Sequence, residues 1–170
     1  EVDMLEETYL KIISAKTAEL FAAATKVGAI LSGMKNKEKE ALEFYGRNLG
    51  LTFQIADDTL DYNSELKLFG KKIGQDFYEG KITLPIILLF QKANNQEKEK
   101  LKNIFSKDVR DKDDLHYSLS LIKRYDVIKA CYQKAEHYIN LASNALTLFN
   151  DSEEKRILEN LTSFSLTRNF

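Results

Sequence analysis

The sequence predicts an all-α protein, and three observations support this class. Apolar residues recur at three- and four-residue spacing in every segment that can be delimited, as on one face of a helix. Helix breakers are scarce, with 1 proline and 7 glycines among 170 residues. No internal repeat, low-complexity tract or linker interrupts the pattern, so residues 1–170 are predicted to form a single all-α domain.

The first predicted helix covers residues 5–31. Its run "KTAELFAAATKVGAIL" is mostly apolar, so we expect this helix to be largely buried. Gly33 provides the stop signal. A second helix is predicted over residues 37–62, and Asn63 and Ser64 end it.

Residues 65–80 break the helical pattern and predict a loop. This segment combines glycines with lysines, namely Gly70, Gly74, Gly80, Lys67, Lys71 and Lys72. Glycines let the backbone approach a ligand closely, and lysines attract anions. The loop is therefore the irregular segment most informative about function.

The remaining chain predicts five helices. One begins near "TLPIILLF", tolerates Pro85 in its first turn and closes at Asn94 and Asn95. Amphipathic periodicity predicts the others over residues 96–105, 112–124, 127–149 and 153–168. Asp151 and Ser152 followed by two glutamates are typical of a helix N-cap with an acidic first turn.

Composition excludes several classes of function. The formal net charge is -1, so no overall basic field indicates nucleic-acid binding. Cys131 is the single cysteine and offers neither a disulfide within the chain nor zinc-ligand spacing, which fits a reducing cytoplasm. The sequence predicts no membrane span and no signal peptide. It begins at Glu1 rather than Met, which indicates a longer polypeptide.

Four polar residues interrupt the second predicted helix. Gln54, Asp57, Asp58 and Asp61 occupy relative positions 0, 3, 4 and 7, which form one stripe along two helical turns. Carboxylates this close repel one another unless a cation or a cluster of donors balances them. The stripe therefore predicts a positively charged partner, although a solvated acidic face remains the alternative.

Ligand chemistry favours a hard cation at the stripe. Carboxylates without nearby His or Cys suit Mg²⁺, with Mn²⁺ or Ca²⁺ as alternatives, and Mg²⁺ usually completes its shell with water and substrate phosphates. An EF-hand loop beginning at Asp57 is disfavoured, because Tyr62 and Leu68 occupy the positions that need glycine and glutamate. A phosphate-containing ligand is thus the expected second component.

Basic residues occur at two other places. Lys71, Lys72 and Lys81 lie on glycine-bearing segments that can approach an anion. Lys16 and Thr17 interrupt the first apolar helix, although a lysine there can also extend to the surface along its aliphatic stem. Together these acidic and basic interruptions indicate a site for a metal ion and a phosphate-containing ligand.

Three segments, "KTAELFAAATKVGAILSG", "YGRNLGLTFQIADDTLDY" and "FGKKIGQDFYEGKITLPIILLF", resemble the C-terminal half of the trans-isoprenyl diphosphate synthases. The resemblance is greatest to bacterial octaprenyl and decaprenyl diphosphate synthases. It implies a bundle of long helices around a deep cavity, usually in a homodimer. The implied reaction is Mg²⁺-dependent elongation of an allylic diphosphate with isopentenyl diphosphate, with release of pyrophosphate, giving long-chain precursors of quinone side chains.

The resemblance also implies roles for individual residues. The second aspartate-rich motif, which holds Mg²⁺, corresponds to Asp57, Asp58 and Asp61. The residues matched to diphosphate contacts and to the catalytic site are Lys16, Thr17, Gln54, Lys71 and Lys81. Lys72 is an ambiguous neighbour of Lys71, and Asp76 is expected to orient the lysines or waters.

The implied chemistry needs no protein nucleophile. Negative charge develops on departing pyrophosphate, and a metal ion and lysines stabilise it. Accordingly His116 and His137 are expected at the surface or in packing, and Cys131 in the core. The run "LFAAATKVGAIL" is either core or one wall of a tunnel for the growing chain.

One departure from the family pattern is large, because the first aspartate-rich motif and its arginines have no counterpart here. The sequence therefore does not indicate whether the product would be octaprenyl or decaprenyl diphosphate. The chain is either part of a complete synthase, a split-gene remnant, or a subunit completed by another chain. A non-catalytic helical partner is the alternative function. A terpene cyclase is disfavoured by "GKKIGQDFYEGKITLP", and product analysis would separate the two enzymes.

Overall fold

The computed structural model describes residues 5–63 and 73–167, and within these ranges it contains helices and turns but no strand. The predicted all-α class is confirmed. The chain divides into two compact units. The first, which we call the aspartate unit, comprises Glu1–Tyr9 and Asp57–Tyr132, and the second, the KT unit, comprises Leu10–Ala56 and Gln133–Phe170. The prediction of a single domain stays a prediction.

The helices follow the predicted order, except that the first predicted helix, residues 5–31, is interrupted at residues 14–18 and that a short helix lies inside the predicted loop 65–80. They are α1 Glu6–Ile13, α2 Glu19–Leu31, α3 Asn36–Leu60, α4 Gln75–Tyr78, α5 Leu84–Lys92, α6 Asn95–Phe105, α7 Lys112–Arg124, α8 Val127–Ala145 and α9 Glu153–Thr167. A π-helical turn, Ser14–Ala18, joins α1 to α2, and a 3₁₀ turn, Leu146–Leu148, follows α8.

The predicted start and stop signals act as expected. Gly33 adopts a left-handed backbone with φ 66° and ends α2, where the Met34 amide donates to the Ala29 carbonyl at 3.1 Å. Pro85 lies in the first turn of α5. The Ser152 hydroxyl accepts the Lys155 amide at 3.1 Å and so caps α9.

Helices α2 and α3 approach closely within the KT unit because α3 presents glycines to α2. A Cβ atom at Gly46 would lie 2.5 Å from the Phe21 carbonyl oxygen, and one at Gly50 would lie 2.7 Å from the Cα of Ala18. The core beside this contact contains Ala29, Leu42, Tyr45, Leu49, Ile139, Ala142 and Leu146. Side chains larger than hydrogen at the two glycines would push the helices apart.

The expectation that the first apolar helix is largely buried is wrong for α2. Ala22 and Ala29 are buried, but four large apolar side chains on this helix are between 49% and 83% exposed, namely Leu20, Val27, Ile30 and Leu31. The reason is that α2 packs in the KT unit through its small residues. We call the four exposed residues the α2 apolar face.

The core of the aspartate unit centres on α5, in which residues 84–90 are all buried. Phe77 of α4 is fully buried and meets Phe105 edge-to-face, with ring centroids 5.3 Å apart. In the described ranges, every helix is too short or too polar to traverse a bilayer.

Candidate functional site

The predicted aspartate stripe lies at the C-terminal end of α3. Asp57 and Asp58 are in the last turn of this helix, and Asp61 follows Leu60 directly. Asp58 and Asp61 are buried, with 6% and 4% exposure, whereas Asp57 is partly buried. Carboxylates buried to this degree need hydrogen-bond donors.

A tyrosine from α1 supplies one such donor to Asp58. The Tyr9 hydroxyl donates to Asp58 Oδ2 at 2.7 Å inside the aspartate unit. Burial, followed by the nearby charge of Asp58, raises the pKa of the Tyr9 phenol well above its usual range. The phenol therefore stays a donor and fixes the direction of the Asp58 carboxylate.

Asp61 instead binds backbone amides of the segment that follows the loop. Its two carboxylate oxygens accept the Gln75 amide at 3.1 Å and the Asp76 amide at 2.9 Å. Its carbonyl oxygen accepts the Gly74 amide at 2.9 Å. Asp61 thus caps α4, which explains why a short helix interrupts the predicted loop 65–80.

Lys81 lies directly beyond this capped turn and binds two acidic side chains. Its Nζ is 3.0 Å from Asp76 Oδ1 and 2.6 Å from Glu79 Oε2. The hydrogen bond to Glu79 and then that to Asp76 raise the pKa of Lys81. The ammonium group is charged, half-exposed and close to the turn that Asp61 holds. The expected orienting role of Asp76 fits this contact and stays a prediction.

The predicted Lys-Thr pair lies in the π-helical turn between α1 and α2. Within the KT unit, the Thr17 hydroxyl donates to the Gln54 amide oxygen at 2.8 Å. Gln54 is 9% exposed, whereas Lys16 is exposed. Wide turns of this kind occur often at functional sites because they redirect side chains. The turn presents the Lys16 ammonium to solvent.

Lys71 and Lys72 lie outside the described residues. In residues 5–63 and 73–167, no group of three or more His, Cys, Asp or Glu side chains is arranged to hold a metal ion. Tyr9 and two backbone amides direct the carboxylates of Asp58 and Asp61.

The donor chemistry of the stripe fits a hard divalent cation. Its carboxylate oxygens are the ligands that Mg²⁺ prefers, and this ion needs only one or two carboxylates besides water and phosphate oxygens. The three-aspartate metal site stays a prediction.

The residues expected to lack a catalytic role have fitting environments. Cys131 is fully buried, and burial raises the pKa of its thiol to about 12. His116 and His137 are exposed. A thiol that remains protonated is a poor nucleophile.

Sequence reasoning missed Tyr9, which contacts the stripe, and Arg110, which contacts the end of α4. Tyr9 follows the apolar spacing of its helix, so the pattern predicts a core residue. Its hydrogen-bond partner Asp58 is 49 positions away. Arg110 lies in a polar stretch but is only 8% exposed. Local spacing in the sequence could not indicate that Tyr9 contacts Asp58 or that Arg110 contacts the end of α4.

Tyr9→Phe should lower the free energy of unfolding by about 2 kcal/mol, because it removes a hydrogen bond to a buried carboxylate. Tyr45→Phe is a matched control, since the buried Tyr45 hydroxyl donates to the neutral Leu158 carbonyl at 2.8 Å. The free energy of unfolding of the control should fall by about 1 kcal/mol. Urea titrations compare the two variants. A smaller loss for Tyr9→Phe than for Tyr45→Phe would contradict a charged acceptor.

Comparisons with known proteins agree on one family. A family model described as "Polyprenyl synthetase" matches residues 1–122. A short chain isoprenyl diphosphate synthase of Methanothermobacter thermautotrophicus is 35% identical over 98% of this chain and 51% of its own length. An octaprenyl diphosphate synthase of Haemophilus influenzae is 30% identical over 97% of this chain and 50% of its own length.

Solved structures resemble the model over its whole length. A decaprenyl diphosphate synthase from Rhodobacter capsulatus has TM-score 0.93 and 33% identity, covering 100% of this chain and 52% of the other. A polyprenyl synthase from Caulobacter crescentus, solved with calcium and isoprenyl diphosphate, has TM-score 0.92 and 37% identity, with coverages of 100% and 52%. This chain therefore spans about half the length of these relatives.

Proposed function

The chain belongs to the polyprenyl synthetase family, and from this membership we propose that it forms the allylic-diphosphate-binding half of a trans-polyprenyl diphosphate synthase. The proposed reaction elongates an allylic diphosphate with isopentenyl diphosphate and releases pyrophosphate. The product would be a long-chain polyprenyl diphosphate, a precursor of quinone side chains. The observation that carries this proposal is the turn in which Asp61 holds the Asp76 amide while Lys81 lies beside Asp76.

The roles of the residues follow from their charges. Asp57, Asp58 and Asp61 would hold Mg²⁺, or Mn²⁺, which supplies positive charge against the diphosphate oxygens. Calcium and isoprenyl diphosphate in the Caulobacter relative support an oxygen-ligand site of this kind. Lysines would bind the remaining diphosphate oxygens, namely Lys16, Lys71 and Lys81, whereas Thr17 and Gln54 would fix the backbone that carries Lys16.

Lys81 can add a diphosphate contact without leaving its acidic partners. An ammonium group carries three N–H donors, and Asp76 and Glu79 accept two of them. The side chain is 53% exposed, so an incoming oxygen can reach the third donor. The two carboxylates hold the ammonium in one place, which lowers the entropy lost when the diphosphate binds.

In the proposed reaction, the bond between the allylic carbon and the diphosphate oxygen breaks, and the electron pair leaves with pyrophosphate. The double bond of isopentenyl diphosphate supplies the electrons of the new carbon–carbon bond, and a proton passes to pyrophosphate. The lysines stabilise the charge that grows on the leaving group. No side chain forms a covalent bond, which is compatible with the buried Cys131 thiol.

We propose that further polypeptide completes the active site, either a complementary chain that supplies the first aspartate-rich motif or another copy in a homodimer. The α2 apolar face supports a protein partner, because an exposed cluster of large apolar residues on one helix often marks an interface. We also propose that the protein is located in the cytoplasm.

Isothermal titration calorimetry with inorganic pyrophosphate tests the proposed site. The protein should bind pyrophosphate when Mg²⁺ is present and lose most of this affinity in excess chelator. Absence of Mg²⁺-dependent binding would refute the diphosphate site. Product analysis with isopentenyl and farnesyl diphosphates, carried out on the assembly that contains the completing polypeptide, then distinguishes a synthase, which makes longer diphosphates, from a non-catalytic subunit.

Lys81→Glu should weaken pyrophosphate binding by at least about tenfold, the cost of one charge-assisted hydrogen bond. Lys129→Glu, which changes an exposed lysine of the same unit by the same charge, is the control and should bind as the wild type. Farnesol, a neutral alcohol, should bind both variants equally. Equal loss of pyrophosphate and farnesol binding in Lys81→Glu would indicate damage to the fold instead.

The alternative function is a non-catalytic helical subunit that dimerises with or regulates a complete synthase. The α2 apolar face would serve this role equally well. The two proposals differ at the acidic stripe, because a purely structural subunit has no need of Mg²⁺-dependent pyrophosphate binding. The calorimetric experiment therefore discriminates between them.

A further inference from the structure

Arg110 is a buried cation that binds backbone carbonyls. Its Nε donates to the Phe77 carbonyl at 2.7 Å, its Nη1 to the Lys107 carbonyl at 2.6 Å and its Nη2 lies 3.4 Å from the Tyr78 carbonyl. The side chain is 8% exposed. The planar guanidinium directs several donors at once, which a lysine ammonium cannot do in the same geometry.

Two of these contacts, those to Phe77 and Tyr78, lie at the C-terminal end of α4, where the Phe77 carbonyl also accepts the Gly80 amide at 3.0 Å. Phe77 and Tyr78 are the last residues of α4, and Gly80 follows with a left-handed φ of 73°. A Cβ at Gly80 would lie 2.2 Å from Nη2 of Arg110. The guanidinium thus occupies the space that a side chain at position 80 would need.

The turn that Arg110 contacts lies between Asp76 and Lys81 in the sequence. The Lys81 amide donates to the Asp76 carbonyl at 2.9 Å, and its ammonium contacts the Asp76 carboxylate at 3.0 Å. At the other end of α4, Asp61 accepts the Asp76 amide. The short helix is therefore held at both ends, by Asp61 at its start and by Arg110 at its end.

We propose that Arg110 is a positioning residue for diphosphate binding, which holds the turn 77–80 so that Lys81 stays beside Asp76, whose amide Asp61 accepts. The inference rests on the proposed function of this site. Arg110 acts through Lys81 and does not itself contact the diphosphate. Four residues of helix have little stability of their own, so without the clamp Lys81 would sample many positions.

Arg110→Lys tests the proposal, because it keeps the charge and loses the planar donors. The variant should bind Mg²⁺-pyrophosphate about tenfold more weakly by calorimetry, the scale of a lost supporting contact. Arg124→Lys is the matched control, since Arg124 lies in the same unit and pairs with Glu97 at 2.7 Å. It should bind within about twofold of the wild type, as expected for a side chain that is 63% exposed.

Hydrogen–deuterium exchange provides an independent readout. Amides of residues 75–83 should exchange faster in Arg110→Lys than in the wild type, whereas those of residues 36–60 should not change. Gly80→Ala is a second variant, which displaces the guanidinium from the other side, and it should reproduce both effects. Unchanged exchange at residues 75–83 in both variants would overturn the proposed clamp.

A double-mutant cycle separates positioning from general structural damage. If Arg110 acts through Lys81, Arg110→Lys should add little to the loss of pyrophosphate affinity already caused by Lys81→Ala. Additive losses would overturn the proposed route through Lys81. Failure of the wild type to bind pyrophosphate would overturn the proposed function and, with it, the role of Arg110 in binding. Wild-type binding with unchanged affinity in Arg110→Lys would overturn only the inference about Arg110.

Discussion

Asp57→Ala should weaken Mg²⁺-dependent binding of an allylic diphosphate analogue by about 1–3 kcal/mol, the scale of a lost charge-assisted interaction. Asp57 is the most accessible carboxylate of the stripe, because Asp58 and Asp61 are at least 94% buried. A cation bound at the stripe would therefore meet Asp57 at its exposed side. Calorimetric titrations with and without Mg²⁺ measure the effect.

Two further variants make the Asp57 result interpretable. Asp113→Ala removes an exposed aspartate of the same unit and should leave the affinity unchanged. Asp61→Ala should reduce both affinity and the free energy of unfolding, because Asp61 also caps two amides of α4. Unchanged affinity in Asp57→Ala would refute its assignment as a metal ligand.

Gly46→Ala should destabilise the KT unit by about 2–3 kcal/mol, an expected cost of overpacking a close helix contact. The new methyl group would lie 2.3 Å from Thr25 Oγ1 and 2.5 Å from the Phe21 carbonyl oxygen. The Thr25 hydroxyl cannot easily move, since it donates to the Leu42 carbonyl at 2.6 Å. Urea denaturation followed by circular dichroism measures the loss.

Gly28→Ala is the matched control on α2, and it should raise the free energy of unfolding where Gly46→Ala lowers it. A Cβ at Gly28 would meet nothing within 4 Å, so the substitution keeps only the gain in helix propensity, about 0.5–1 kcal/mol. The opposed signs are the diagnostic result. Stabilisation by both substitutions would contradict the close approach of α2 and α3 at Gly46.

Local sequence signals predicted the helices well because each signal acts within a turn or two. Gly33 stops a helix through its left-handed backbone, and Ser152 caps one through an amide three residues ahead. The prediction was less accurate where a distant residue decides the outcome. Helix α4 forms inside the predicted loop because Asp61, 14 and 15 positions away, accepts its first amides.

The candidate site likewise combines features that local sequence predicts with contacts that it does not predict. The spacing of Gln54, Asp57, Asp58 and Asp61 indicates the stripe, and the sequence motifs by themselves indicate the family. Spacing could not indicate what holds the stripe. Thr17 reaches Gln54 across 37 positions, and Tyr9 reaches Asp58 across 49.

The sequence by itself determined the all-α class, most helix boundaries within a few residues, the acidic stripe and the family. Tertiary structure decided which carboxylates are buried, that Lys81 is paired with Asp76 and Glu79, that Arg110 donates to the Phe77 carbonyl, and that α2 exposes an apolar face. The physical reason is the sequence separation over which each interaction acts. Helical periodicity depends on neighbours three and four residues apart, whereas burial and hydrogen-bond partners depend on which distant segments the folded chain brings together.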